Sequence, residues 1–476
     1  MIPLKKFFIF SLLFITMVLQ KGFSQNHRLL VLTDIEADPD DAQTLIRLLL
    51  YSNEIDVEGL IATTSVHQKA RVAPESIKAV LEAYGKVHSN LLLHNKNFPR
   101  KEDLMPLVKQ GLPKYGMEGV GKGNDSEGSD YIIELLEKKD PRPLYVSVWG
   151  GPNTLAQAFY KIRETRSKKE MERLISKLRV YTISDQDDSA LWIRKEFPNL
   201  WYIVSPGGYF ASTWIAINQQ VKGINNQTIS NAWLAENIQQ GHGPLGALYP
   251  DVAYGMEGDT PSWLALISNG LNNPEHPNWG SWGGRYELNT PDSVAQGFTG
   301  GVPIEKETRP IWTNAVDVFT PRIPNAYGGA ITKHDSTYVD NKVTLWRWRD
   351  DFQNDFAARM DWTIQKYEQA NHPPIPVLGH AEEITIKSGE IFGLDASDTY
   401  DPDGDSLSYW WFQYPEAGSY KKEIKYGLQE NLYFVHSIEA PEVSKPETAH
   451  FILKVTDKGI PALSRYKRVI VTILPK

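Results

Sequence analysis

The chain has 476 residues, with 50 lysines and arginines against 58 aspartates and glutamates, for a net charge of −8. An acidic balance without a basic patch argues against nucleic acid as a partner. There is no cysteine, which excludes disulfides, thiolate metal sites, cysteine nucleophiles and a lipid anchor on an N-terminal Cys.

The first residues read as an export signal. Lys5 and Lys6 precede an apolar run from Phe7 to Leu19, and Gly22-Phe23-Ser24-Gln25 offers small residues for cleavage. That run is too short to span a bilayer, and no later segment reaches a spanning length. Residues 1–25 are therefore expected to be a signal peptide and the remainder a secreted or periplasmic chain without stable membrane insertion. About 450 residues exceed one ordinary core, so two domains are expected.

From Arg28 to about Val204 strands alternate with helices. Leu29–Thr33 is a short buried run, and Asp40–Tyr51 carries Ala42, Leu45, Ile46 and Leu49 on one helical face. A strand over Val57–Thr63 leads to a helix near Pro74–Tyr84. Leu144–Trp149 and Val180–Ile183 are further strands, each followed by a helix, with Trp201–Val204 after them. Gly116–Ser129 reads as a long loop. This alternation implies an α/β domain with a mainly parallel sheet covered by helices on both faces.

Gly241–Arg285 is dense in Gly, Pro, Trp and Asn, and such segments commonly form the rim of a site at the strand ends. Trp263, Trp279 and Trp282 are candidates for stacking on sugar rings, with rim packing as the alternative. A helix over Asp350–Gln369 closes the domain at about residue 370, and 371–376 (Asn-His-Pro-Pro-Ile-Pro) reads as a stiff linker. From 377 to 476 short alternating runs suggest a small all-β immunoglobulin-like sandwich. Within it Asp401, Asp403 and Asp405 are spaced to hold a structural Ca²⁺, with a plain Asp-Gly turn as the alternative. Alternation places one of Trp410 and Trp411 in the core.

The segment richest in chemistry is Thr33-Asp34-Ile35-Glu36-Ala37-Asp38-Pro39-Asp40-Asp41-Ala42. Five carboxylates within eight residues follow a buried strand and open a helix, the position where open α/β sheets bind ligands. One or two aspartates there would serve as helix caps. Five mutually repelling charges call for a cation, and hard oxygen donors without His or Cys select Ca²⁺ or Mg²⁺.

The same segment resembles the signature of the nucleoside hydrolases, two aspartates one residue apart followed after three more by an Asp-Asp pair. It is most similar to a branch known as cellulose-binding proteins, with a nucleoside-hydrolase-like domain and a β-rich C-terminal domain; Leu50-Tyr51-Ser52-Asn53-Glu54-Ile55 also looks like that branch. The resemblance implies a Ca²⁺ site. Superposed without gaps, Asp34 takes the first signature position, Glu36 the second, and Asp40-Asp41 the final pair. Gly151-Pro152-Asn153-Thr154 is similar to the segment that gives the ion a backbone carbonyl, implying Asn153, or alternatively Thr154. Gly258-Asp259-Thr260-Pro261 is similar to the segment of the last ligand, implying Asp259, for which a helix cap is the alternative.

Under the same resemblance Glu36 or Asp40 is the general base, and Glu36, Asp41, Asn153 and Asp259 hold the metal. Asp34, His67, Asp185, Asp187, His242 and Trp282 are the substrate-binding candidates, with structural hydrogen bonding as the alternative for each histidine. Glu36 stands where the family has aspartate, so its carboxylate reaches one methylene further. The implied activity is Ca²⁺-dependent hydrolysis of a glycoside or N-riboside, on a carbohydrate or nucleoside-like molecule or a polysaccharide. A carbohydrate-binding protein that keeps the fold without the chemistry is the alternative.

Overall fold

In the computed structural model, residues 26–324, 331–333, 336–425 and 434–476 are described. The expected signal peptide lies outside them. Among the described residues no helix is long and apolar enough to cross a membrane.

The large domain is built on an eight-stranded sheet: β1 (His27–Thr33), β2 (Ile55–Ala62), β3 (Val108–Gln110), β4 (Leu144–Val148), β5 (Leu178–Thr182), β6 (Trp201–Ile203), β7 (Tyr286–Asn289) and β8 (Ile311–Asn314). Their order is β3-β2-β1-β4-β5-β6-β8-β7, parallel except for β7, which runs antiparallel to β8. β1, β4 and β5 are buried along nearly their whole length because helices cover both faces. One face packs on a layer that includes Leu45, Ile46, Leu81 and Tyr84, and the other on Ile132, Leu155 and Phe159. Winding proceeds outward from β1 in one direction and from β4 in the other. The crevice beyond the carboxyl ends of β1 and β4 is thus the topological switch point.

The strand–helix alternation is as the sequence predicts, with shifted ends. Helix α1 is Asp40–Leu49, and α2 runs from Pro74 to His94, ten residues beyond the predicted end. β3, β7 and β8 are too short to show a pattern in the sequence, whereas the helices Glu127–Glu137 and Lys168–Ile175 are amphipathic and were not predicted, the first of them starting inside the stretch expected to be a loop. The Pro261 helix is a single turn, Pro261–Leu264, and the closing helix is Arg349–Asp361.

The C-terminal domain is a sandwich of a four-stranded sheet, containing Glu383–Lys387, Leu407–Gln413, Glu447–Asp457 and Ser464–Leu474, and a pair, Ile391–Asp395 with Val435–Glu439. Trp411 is the inward tryptophan, fully buried with Phe392, Leu394, Phe451 and Val471, while Trp410 packs toward the large domain. The two domains share one apolar core, in which Phe412, Tyr414, Ile452 and Tyr466 join Trp282, Trp348 and Phe352. The segment read as a linker is fixed at its start. Asn371 and His372 are buried, and His372 stacks on Tyr367 with ring centroids 3.9 Å apart.

Buried charge crosses this joint. Asp355 accepts hydrogen bonds from Arg465 at 2.5 Å, Arg359 at 3.0 Å and Tyr51 at 2.8 Å. Burial alone would raise its pKa, yet Arg465 and Arg359 hold it down at about 2. A carboxyl depressed on folding stabilises fully above its ordinary pKa of about 4 and loses that contribution as pH falls toward 2. Asp355→Ala, which leaves the buried Arg465 without its ion-pair partner and Arg359 with Glu54 alone, is expected to lower unfolding free energy by ~3–5 kcal/mol at pH 7. Denaturant titration checks this, and the gap to the wild type should narrow below about pH 3.

Candidate metal and substrate site at the sheet switch point

The acidic turn leaves the end of β1 at the switch point. The Ala37 N–H donates to the Asp34 carbonyl at 2.9 Å, and Glu36 adopts a left-handed backbone, φ 83°. That single residue sends its own side chain outward and the next acidic one back. Glu36 is exposed, paired with Arg71 and bonded by Ser76, and these partners hold its carboxyl below the ordinary value. Asp38 turns in. One of its oxygens and one each from Asp40 and Asp41 lie within 4.8 Å of one another. Contrary to the gapless superposition, Glu36 is exposed and stands outside this group of carboxylates, which Asp38 joins instead.

Each remaining carboxylate is held by a different device. Thr33 donates its hydroxyl to Asp41 Oδ1. Trp214 donates its indole N–H to Asp40 Oδ2 at 3.0 Å. Asp34 packs against Gly150, where a Cβ would meet its Oδ1 at 2.6 Å. Asp259 is brought in by α1 itself. Arg47 on α1 makes a fully buried ion pair with Glu257 at 2.6 Å, Gln43 Oε1 accepts the Glu257 N–H at 2.9 Å, and Thr260 bonds Thr44 at 3.0 Å. The strand-end turn and a segment more than 200 residues later are thus clamped to one helix.

The electrostatics follow from burial. Asp34, Asp40, Asp41 and Asp259 are all nearly inaccessible. Desolvation pushes Asp34 up to about 6 and Asp40, Asp41 and Asp259 well above the ordinary carboxylate range. The charges acting on Asp259 are those of Asp40, Asp41, Asp38 and Asp34, all of one sign. Its Oδ2 is buried without a hydrogen-bond partner.

Asp34, Asp38, Asp40, Asp41, His67, Ser184, Gln186, Tyr209 and Trp214 line a cavity of about 30 Å³, room for one ion or water. His67 faces Tyr209, Nε2 to hydroxyl 3.3 Å, and burial lowers its pKa. Over them lies the segment 294–302. The Tyr209 N–H donates to the Phe298 carbonyl at 3.0 Å, and the Tyr209 hydroxyl donates to the Thr299 carbonyl at 3.2 Å. Tyr209 and Trp214 escape sequence reasoning because they sit in aperiodic chain; their only signal is position just after the end of β6.

Other sequence-derived candidates are placed elsewhere. Asn153 opens the helix Asn153–Thr165, so its carbonyl enters the intrahelical ladder, and Thr154 follows it in the first turn. The Asn153 side chain bonds Thr63, Thr64 and the Lys114 carbonyl. Asp185 is locked bidentately to Arg194, both bonds 2.8 Å. Asp187 is fully buried beside Gly151, with Oδ1 bonded by Ser189, Oδ2 unpartnered, and a pKa raised to about 7 by desolvation. His242 pairs with Asp361 at 3.1 Å, away from the cavity lining. Trp263 and Trp282 are fully buried, the latter edge-on to Tyr466 of the sandwich. The Trp-rich stretch is therefore mostly domain core. Trp279 alone of the three is partly exposed, stacked on His276 at 3.9 Å.

Gly258 is required where Trp214 meets Asp40, since a Cβ there would fall 2.1 Å from the indole nitrogen and 2.6 Å from Asp40 Oδ2. Gly258→Ala is expected to cost ~1–3 kcal/mol of stability through overpacking. An unchanged denaturation midpoint would contradict this contact.

Residues 28–286 match the model of "Cellulose-binding Sde182, nucleoside hydrolase-like domain", and residues 391–473 match "Cellulose-binding protein Sde0182, C-terminal domain". A solved structure of a nucleoside hydrolase-related hypothetical protein from Saccharophagus degradans, associated with carbohydrate metabolism, is 34% identical; the match covers 94% of this chain and 100% of that one, with a TM-score of 0.77. The effector protein XOO4466 is 11% identical over 61% of this chain and 88% of its own, with a TM-score of 0.34. No curated protein matches. The chain belongs to the Sde182 family of cellulose-binding proteins with a nucleoside-hydrolase-like domain.

Proposed function

We propose that this protein is an exported, Ca²⁺-dependent hydrolase of glycosidic bonds, acting on a plant-type glycoside or oligosaccharide. One observation carries the reading: Asp38, Asp40 and Asp41 bring carboxylate oxygens within 4.8 Å of one another at the switch point, Asp34 lines the same cavity, and the buried Asp259, with an unpartnered oxygen, feels the charges of all four. The donor set is all hard oxygen, which suits Ca²⁺. Asp38, Asp41 and Asp259 are the residues to hold it, with Asp34 beside them.

Bound there, Ca²⁺ would supply a positive charge that orients water and sugar hydroxyls and keeps the aspartates ionised. Asp40 accepts a proton from the attacking water, with the Trp214 N–H fixing its carboxylate. Water adds to the anomeric carbon while the bond to the leaving group breaks, and the bonding electrons depart with that group. The oxocarbenium-like state between them is stabilised by the surrounding carboxylates. His67 and Tyr209 form the wall opposite the acidic turn and are placed to bond a leaving group or sugar hydroxyl. A sugar needs more than 30 Å³, so segment 294–302 must move aside for entry.

The small cavity also favours a second reading, a carbohydrate-binding protein in which the acidic turn is inherited and inactive; the family's cellulose-binding description supports it. Hydrolysis of a panel of ribosides, furanosides and plant oligosaccharides, with and without chelator, separates the two. Chelator-sensitive turnover is expected, falling at least 10²-fold in Asp41→Asn on the scale of one lost transition-state contact and staying within about twofold in Glu36→Gln. Equal turnover in Asp41→Asn, or none in the wild type beside retained binding to insoluble polysaccharide, would overturn the hydrolase.

A further inference from the structure

A second set of unsatisfied oxygens lies far along the chain from the acidic turn, where the large domain passes into the sandwich. Asp457 ends its strand fully buried. Its Oδ1 accepts three hydrogen bonds, from Asn371 Nδ2 at 3.1 Å, Gly459 N at 3.0 Å and Leu463 N at 2.9 Å, while Oδ2 has no partner. Asn371 is 7% exposed. Its Nδ2 donates to Asp457 and to the Pro461 carbonyl at 2.7 Å. Both partners only accept, which fixes the amide's orientation and leaves Asn371 Oδ1 without a donor.

The third oxygen comes from the Asp-rich turn. Asp401 Oδ1 accepts from the backbone N–H of Asp403 at 2.9 Å and of Asp405 at 3.1 Å; Oδ2 is buried and unpartnered. The turn is tied to the same joint, because Asp403 accepts the His372 N–H at 2.7 Å and faces its Nδ1 at 3.1 Å. The charge acting on Asp457 is that of Asp401, of the same sign. Desolvation lifts the Asp457 carboxyl to about 6, against the three hydrogen bonds that favour its ionised form.

A polar group buried without a partner costs stability, and two carboxylates with like charge compound the cost. Three such oxygens, two anionic and one neutral, sit on residues linked by the Asn371–Asp457 hydrogen bond and by the charge of Asp401 on Asp457, and a hard cation would satisfy all three. We propose that Asp401, Asp457 and Asn371 hold a second, structural Ca²⁺ that pins the inter-domain segment to the sandwich. A mixed amide and carboxylate set of irregular geometry suits Ca²⁺ better than Mg²⁺, which demands a near-octahedral shell and keeps its water. The alternating spacing of 401, 403 and 405 has a different use here from three parallel ligands: Asp403 orients His372, and Asp401 keeps a buried, unpartnered Oδ2.

Calorimetric titration of the full chain with CaCl₂ tests this, comparing wild type, Asp401→Asn, Asp457→Asn and Asp41→Asn, with thermal melting in CaCl₂ and in chelator. Asp401→Asn keeps the Oδ1 acceptor of the turn and decides the matter if Asp457→Asn does not fold. The expected result is one Ca²⁺ fewer, or at least tenfold weaker binding at one site, in Asp401→Asn, with the Ca²⁺-dependent rise in melting temperature reduced. Unchanged Ca²⁺ number and affinity in Asp401→Asn, or no binding in the wild type, would overturn the proposal. The site at the switch point is scored separately by Asp41→Asn. Ca²⁺ lost in Asp401→Asn but not in Asp41→Asn would sink the hydrolase reading alone.

Discussion

Carboxylates of one sign, held together out of water, set the terms for the large domain. Desolvation and mutual repulsion both oppose ionisation of Asp34, Asp40, Asp41 and Asp259. A fold keeps such a cluster only if rigid elements enforce it. Here the enforcement comes from a buried strand end, the first turn of α1, and the Arg47–Glu257 pair that ties α1 to the segment bearing Asp259. The pair is fully buried, so losing either partner would strand the other charge and free that segment. Like charge concentrated this way at a strand-end crevice is costly as plain architecture.

Much of this was legible in the sequence because it rests on local patterns. A buried five-residue run followed by an acidic helix start defines a strand, a crevice and a candidate metal site with no tertiary information. The alternation that follows gives the parallel sheet. What was not legible depends on one dihedral angle or on distant packing. Glu36 and Asp38 are both acidic and two residues apart; only the left-handed backbone at Glu36 decides which one enters the cluster. Asn153 resembles a carbonyl donor in sequence, but the helix that begins there uses its carbonyl.

The tryptophans make the same point at larger scale. A stretch dense in Trp, Gly and Asn looks like a sugar-binding rim when read alone. Trp282 is instead covered by Tyr466, nearly two hundred residues later, when the sandwich docks. That docking is substantial: shared apolar core, Asp351 bonded by Lys454 and Tyr466, and Asp355 bonded by Arg465. The sandwich therefore acts as a wall of the large domain as well as a module of its own. Tyr209 and Trp214 had the weakest sequence signal of all the cavity residues, since nothing periodic surrounds them.

Asp38, rather than Glu36, is proposed to complete a cation site at the end of β1. A crystal structure of the protein grown with CaCl₂ tests it most directly. The expected result is an ion bonded by Asp38, Asp41 and Asp259, with Glu36 still paired to Arg71. An ion coordinated by Glu36, or a cluster that stays metal-free at millimolar Ca²⁺, would contradict it.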